Sequence, residues 1–379
     1  MVASAPPALL PSAFGLLPED LAALGTPNDP EFLFGVLQRA TRWPGGNAAG
    51  VLGKEGRAFV DANLDVRLPD IVASSPSEDG STKVTLKLSD GALVEAVHMP
   101  RDVKNPRVTI CISSQVGCAM GCTFCHTATM GLVRNLSAAE MVGEVLAVTR
   151  ALGPVDPKRV TLVFMGMGEP LHNVDQVLRA IAVLSDERGL GIALTRITVS
   201  TAGLVPGIEA LAASKWKPQL AVSINATTDA RREPIMPIAK KWSLADLRAA
   251  MEAFPLRSHE KITVAYVLLQ GENDTEADAQ RLADLAKGFR HVVNVIPYNT
   301  FETSPFGETS DEALDRFTDW LRVRGVFTTV RRTRGREVGG ACGQLATETR
   351  RAKRLPVIGS AAASAPTTPA PRTTTGRTA

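Results

Sequence analysis

The hydrophobic rhythm of the chain changes twice. Over residues 31–70, Phe32, Leu33, Val36 and Leu37 recur at helical spacing and predict a small helical unit. The Ala-, Pro- and Leu-rich residues 1–30 before it show no clear period and read as poorly ordered. Residues 74–81, rich in Ser, Asp and Gly, read as a turn-forming linker. The runs 84–88 and 93–98 then flank Asp90-Gly91 and predict a β-hairpin. From Arg107 onward, short β-rich runs near 107–113, 160–165, 195–200, 219–224, 261–268 and 292–297 alternate with amphipathic stretches. Those stretches lie near 137–151, 174–185, 205–213, 243–254, 274–288 and 310–324, and a last strand is expected near 326–332. Apolar strands alternating with helices predict a parallel sheet covered by helices. Six such units predict an α/β fold, a partial (β/α)6 barrel with its chemistry at the C-terminal ends of the strands. After Arg350 the chain turns to Ala, Ser, Thr, Pro and Arg, which predicts a disordered tail. The expected organisation is an accessory region over 1–80, a catalytic domain over 81–350 and a basic, low-complexity tail over 351–379.

Composition narrows this picture. With 44% hydrophobic residues among 379, a sizeable core can be buried. No run approaches the roughly 20 apolar residues that a membrane span needs. No basic segment followed by an apolar one opens the chain. A cytoplasmic protein with no membrane partner is therefore expected. Residues 1–100 carry 7 basic against 12 acidic side chains, whereas the remainder carries 35 against 27. A basic catalytic part suits a polyanionic substrate, although a solvated basic face gives the same count.

Five cysteines are present, at 111, 118, 122, 125 and 342. Four fall within 15 positions, a pattern of metal and redox chemistry rather than of a disulfide scaffold. Cys118-Ala-Met-Gly-Cys122-Thr-Phe-Cys125 follows the first barrel strand. Three thiolates on one tight loop can hold three irons of a [4Fe–4S] cube and leave the fourth for another ligand. The competing reading is a structural zinc site with Cys111 as fourth ligand. Gly166-Met-Gly-Glu169-Pro170 follows the second strand, where glycines allow close backbone approach. Ser200, Ser223 and Asn299 sit at later strand ends, where capping the next helix is an equal reading. Cys342 lies between glycines, which suggests an exposed loop; a buried free thiol is the alternative.

The cysteine loop is the signature of the radical S-adenosylmethionine (SAM) superfamily. Together with Cys111-Ile-Ser-Ser-Gln-Val-Gly-Cys118, Phe164-Met-Gly-Met-Gly-Glu-Pro170, Ile197-Thr-Val-Ser-Thr201 and Ala341-Cys-Gly-Gln-Leu345, it makes residues 84–350 resemble the adenine-C2 RNA methyltransferases, which act on 23S rRNA and tRNA. The adenine-C8 rRNA methyltransferases share nearly all these motifs. The resemblance implies a [4Fe–4S] cluster on Cys118, Cys122 and Cys125, and SAM held by Gly168, Glu169, Ser200, Ser223, Ile224, Asn225 and Asn299. It further implies that Cys342 carries the methyl group as S-methylcysteine. A SAM-derived radical activates that group, and the carbon adds to adenine. Glu95 then accepts the ring proton, and Cys111 releases the product through a transient disulfide with Cys342. From the hairpin alone, Glu95 reads as an exposed carboxylate. Implied partners are an RNA presenting an unstacked adenine and a reducing electron donor, with the enzyme working as a monomer. Arg331, Arg332, Arg334, Arg336, Arg350, Arg351, Lys353 and Arg354 are candidate phosphate contacts.

The chain departs from the pattern in places. Asn225 stands where members usually carry His, Ala239 where they carry Asn, and His126 where a small residue is common. The acidic residues 1–80 lack the family's basic, glutamine-bearing motif. Two alternatives stay open beside C2 methylation. One is C8 methylation or another RNA target; the other is a catalytically silent RNA-binding protein with a structural metal.

Overall fold

The computed structural model describes residues 10–39, 51–101, 106–152, 156–331 and 333–347. The disordered-tail expectation for 351–379 lies outside these residues. Twelve strands are described: β1 (Asp70–Pro76), β2 (Thr82–Lys87), β3 (Leu93–Arg101), β4 (Arg107–Ile112), β5 (Gln115–Gly117), β6 (Leu132–Asn135), β7 (Val160–Phe164), β8 (Ile197–Thr201), β9 (Gln219–Ser223), β10 (Ile262–Leu268), β11 (His291–Pro297) and β12 (Thr328–Val330). Ten form one sheet in the order β1-β2-β3-β4-β7-β8-β9-β10-β11-β12, and β5 pairs only with β6.

From β4 to β12 every neighbour is parallel. Each strand from β4 to β11 is followed by a helix, as the periodicity predicts: Ala138–Leu152, Val174–Ser185, Val205–Ala213, Leu244–Ala253, Glu276–Leu285 and Asp311–Val323. This is the expected open, partial barrel. The physical cause is alternation in the strands. Ile110 and Ile112 of β4 and Leu162 and Phe164 of β7 are fully buried. Their neighbours Thr109, Cys111, Thr161 and Val163 instead line an internal cleft, together with Asn294 and Ile296 of β11. The parallel strands share a direction, so their C-terminal ends open on one side.

Two expectations for the N-terminal part need correction. Residues 10–30 are packed, not disordered: Phe14 and Leu21 are buried, and the turn Ala13–Gly15 docks on the helix Ala138–Leu152. Arg179 donates to the Gly15 carbonyl (3.0 Å) and pairs with Asp20. The apolar side chains of this segment are spaced to fit another element's surface, so no internal period betrays them. Residues 74–81 are also not a linker. Their first part belongs to β1, which pairs antiparallel with β2, and the turn closes where Ser77 N–H donates to the Ser81 carbonyl (2.8 Å). The predicted hairpin is therefore the inner part of a three-stranded antiparallel extension, joined to the barrel through β3 and β4. The sheet is continuous across residue 80.

Candidate active site

The three clustered cysteines are positioned by a small ribbon. β5 and β6 bring the two ends of the loop together, and Cys118 N–H donates to the Gly131 carbonyl (3.0 Å). Gly117 has a positive φ of 74° and lies against the same carbonyl, where a Cβ has no room. Beyond it, Cys125 N–H closes a turn onto the Cys122 carbonyl (3.2 Å). All three thiols line one inner cavity at the C-terminal mouth of the barrel. Burial pushes each thiol's pKa up. A set of buried thiols opposes ionisation unless a metal supplies the countercharge, and three donors without a fourth suit a cube with one open iron. Cys111 is not a fourth donor. It points from β4 into an adjoining, outer cleft of about 1220 Å³, which shares Asn299, Arg331 and Cys342 with the inner cavity. That geometry disfavours the zinc reading.

The inner cavity gathers most of the residues expected at SAM: Gly168, Glu169, Ser200, Ser223, Asn225 and Asn299. Ile224 does not line it. Its side chain is fully buried, and its backbone N–H donates to Ala265 (3.0 Å). Glu169 is buried, and its carboxylate accepts from Leu171 N–H (3.0 Å) and Ala202 N–H (2.7 Å). Burial pushes its pKa up to about 7, against these two hydrogen bonds. The nearby glycines have a simpler cause than close approach to a ligand. A Cβ on Gly166 would lie 2.6 Å from the Ile112 carbonyl, and one on Gly168 would lie 2.5 Å from the Gln115 side chain.

Asn225 explains one departure from the family pattern. It has a left-handed φ of 52°, which Asn tolerates better than most residues. Its Oδ1 accepts from Val267 N–H (2.8 Å) and its carbonyl from Asn273 Nδ2 (2.7 Å), so it clips β9 to β10. Ala239 is buried in a short turn after Met236, where no cavity lining is lost.

Cys342 lies half-buried on a segment that is docked, not exposed. Thr127 Oγ1 donates to the Leu345 carbonyl (2.6 Å), His126 N–H to Gly343 (2.7 Å) and Asn299 Nδ2 to the Cys342 carbonyl (3.3 Å). The His126 ring also stacks on Phe301. On the far side, Asp79 accepts from Gly335 N–H (2.9 Å), Arg334 donates to the Pro100 carbonyl (2.8 Å), and Glu337 accepts from Glu78 N–H (2.9 Å). Cys342 thereby opens on both cavities, sharing the inner one with the three thiols and the outer one with Cys111. Burial and the neighbouring Cys342 push the Cys111 thiol up to about 12, against the pull of Arg331. Both cysteines are free thiols.

Glu95 is buried at 3% exposure, contrary to its reading as an exposed hairpin carboxylate. The reason is tertiary: the Cys342 segment covers β3. Glu95 accepts from Ala346 N–H (2.9 Å), while Lys83, diagonal to it on β2, pairs with its other oxygen at 3.0 Å. Burial raises the Glu95 pKa, and Lys83 opposes the rise. Lys83, Asp79 and Thr127 carry no local motif, so sequence reasoning missed them.

Of the candidate phosphate contacts, Arg331 lines both cavities and its guanidinium touches Met165 Sδ (3.1 Å). Arg334 is engaged with Pro100 and Asp79, and Arg336 with Glu308. Arg332, Arg350, Arg351, Lys353 and Arg354 lie outside the described residues.

Comparison with known proteins agrees with this geometry. Residues 112–286 match the radical SAM superfamily model. The dual-specificity RNA methyltransferase RlmN of Lawsonia intracellularis is 43% identical over 296 residues, covering 77% of this chain and 82% of that one. RlmN of Dinoroseobacter shibae is 38% identical over 358 residues, covering 89% of each. The crystal structure of a radical SAM methyltransferase from Sphaerobacter thermophilus superposes with a TM-score of 0.80 at 37% identity, covering 88% of this chain and 99% of that one. With this identity, this coverage and the cysteine constellation in agreement, the chain belongs to the RlmN family of radical SAM RNA methyltransferases.

Proposed function

We propose that this protein methylates adenine at C2 in 23S rRNA and in tRNA, through an S-methylcysteine on Cys342. The single observation that carries the reading is the position of Cys342, open to the thiol-lined inner cavity and to the Cys111-lined outer cleft. The cofactors of this family are a [4Fe–4S] cluster and SAM. When bound, they supply one-electron cleavage of the sulfonium to a 5′-deoxyadenosyl radical. Cys118, Cys122 and Cys125 hold the cluster, and the strand ends around Glu169, Ser200 and Ser223 hold SAM. Water exclusion falls to the docked Cys342 segment, which roofs the inner cavity.

Adenine C2 carries no nucleophile, so a carbon centre delivered from sulfur is the chemistry the base admits. A covalent cysteine divides that transfer into two easier steps. The family pattern assigns the ring proton to Glu95, which is buried under Ala346 and lines neither cavity. Its burial raises its basicity, and Lys83 keeps it ionised until it is used. Cys111 must lose its proton to attack the sulfur of Cys342, and Arg331 is the neighbouring cation that favours its thiolate. The outer cleft admits a base only from an unstacked or looped RNA. The sheet from β1 onward holds this machinery, with Asp79 and Gly80 also lining the outer cleft, and the helical residues before β1 form the accessory region. The enzyme works in the cytoplasm as a monomer with a separate reducing donor; no described helix is long and apolar enough to cross a membrane.

Mass spectrometry of nucleosides from RNA treated with reduced, cluster-loaded enzyme and SAM tests this reading. 2-Methyladenosine is expected. 8-Methyladenosine would move the chemistry to the neighbouring ring position, and neither product would remove the adenine assignment.

A further inference from the structure

Arg232 is fully buried, yet among the described residues no carboxylate is in hydrogen-bond contact with it. It sits on the short helix Asp229–Ile235, outside both cavities. Its guanidinium is spent on backbone oxygen. Nε donates to the Ile224 carbonyl (3.1 Å), and Nη2 donates to the carbonyls of Ala202 (2.7 Å) and Ser223 (3.1 Å). Nη1 has no protein partner. An arginine buried without a counterion is costly to keep. Structural bracing of three carbonyls needs donors but does not need a full charge.

Three contacts show where that charge is placed. Ile235, at the end of the same helix, accepts from Thr123 N–H (3.0 Å), so the helix is bonded to the cysteine loop beside Cys122. Ala202, whose carbonyl Arg232 holds, gives its N–H to Glu169 in the inner cavity. Ser223, held by the same Nη2, lines that cavity from β9. The guanidinium is thus held behind the wall of the inner cavity that carries Cys122, Ala202 and Ser223. Asp229 is the acidic group that faces Arg232 from its own helix, and it caps Leu244 N–H (2.8 Å).

We propose that Arg232 is a positioning residue that supplies a fixed positive charge behind the Cys122 corner of the inner cavity, and so favours the reduced, more negative state of a cluster held there. The proposal rests on the assignment of Cys118, Cys122 and Cys125 as cluster ligands. The charge acts through the wall of the cavity and touches neither SAM nor RNA. In a low-dielectric site, a guanidinium with no carboxylate hydrogen-bonded to it stabilises the extra electron on a nearby cluster more than it stabilises the oxidised state.

The test is an anaerobic redox titration of the cluster, followed by electron paramagnetic resonance, in wild type, Arg232→Gln and Arg232→Lys. Gln keeps donors for the strand-end carbonyls and loses the charge; Lys keeps the charge and loses the fork. Thermal melting of each apoprotein reports folding separately. Arg232→Gln is expected to reduce the reduced-to-oxidised ratio at a fixed poise about tenfold, equivalent to about 59 mV for one electron. Arg232→Lys is expected to stay near the wild-type ratio. A Gln variant that folds but holds no cluster, beside a Lys variant that does, also supports a requirement for charge. The proposal is overturned by a Gln variant at the wild-type potential, by equal shifts in Gln and Lys, or by both variants failing to fold or to hold iron. Wild-type protein that binds no iron would instead end the cluster assignment itself, a distinct result.

Discussion

Two cysteine-bearing segments meet at the mouth of this barrel, and they are held by different forces. The loop with Cys118, Cys122 and Cys125 leaves β4 directly, is closed by the β5–β6 ribbon, and sinks Ala119 and Met120 into the core. The segment with Cys342 lies beyond the last barrel strand and is tied from outside by polar contacts to the cluster loop, to β3 and to the β1–β2 turn. The difference teaches how one site combines rigid and adjustable parts. Hydrophobic burial and backbone pairing fix the thiols proposed to hold the cluster. Side-chain hydrogen bonds, individually modest, hold the thiol that has two cavities to serve.

Substituting the rigid part should have the largest effect. Cys118→Ala is expected to abolish iron binding, visible absorption and 5′-deoxyadenosine formation together, by metal analysis and chromatography. Retained SAM cleavage would break the comparison at its root. Next is the carrier thiol. Cys342→Ala is expected to eliminate methylated nucleoside while iron content and SAM affinity stay at wild-type values. The companion Cys111→Ala should accumulate a covalent enzyme–RNA adduct on denaturing gels.

Smaller effects sharpen the contrast within the polar ties. Lys83→Met leaves the Glu95 carboxylate buried without its cation and should cost about 3 kcal/mol of stability by denaturant titration. It should also move the Glu95 pKa further up, shifting the rise of methyl transfer with pH to higher values. Smaller still is Asp79→Asn, expected to cost about 1 kcal/mol. Burial disfavours the Asp79 carboxylate, but hydrogen bonds from Ser81, Gly335 and Ser77 outweigh it and bring its pKa from 3.8 to about 2. Ionised Asp79 therefore stabilises the native state fully above pH 3.8, and this contribution is lost as pH falls through about 2. Acid unfolding of Asp79→Asn should be correspondingly less steep across that window, with cluster content unchanged.

Legibility followed the range of the interactions. That the three loop cysteines and the strand-end Gly168 and Glu169 share one cavity, and that six βα units form the sheet, was readable, because each rests on spacing within a few residues or on a local period. The barrel therefore appears where the alternation of Thr109, Ile110, Cys111 and Ile112 predicts it. Residues 10–30 were misread because the turn carrying Phe14 finds its partners on helices more than 100 positions away, while the short helix carrying Leu21 packs on Pro30–Arg39. The burial of Glu95 was hidden for the same reason: Ala346, which covers it, is 251 residues distant.

The amino-acid order alone determined the chemistry on offer: a three-thiol loop, two further thiols and a parallel sheet to carry them. These are properties of residue type and short spacing, which survive in any arrangement of the chain. Only the tertiary structure decided which thiol faces which cavity, that Glu95 is buried against Lys83, that Asn225 serves the backbone, and that Arg232 is buried against backbone carbonyls behind the cysteine loop. Burial and charge environment depend on what the folded chain lays over a residue, and no neighbour in sequence reports that.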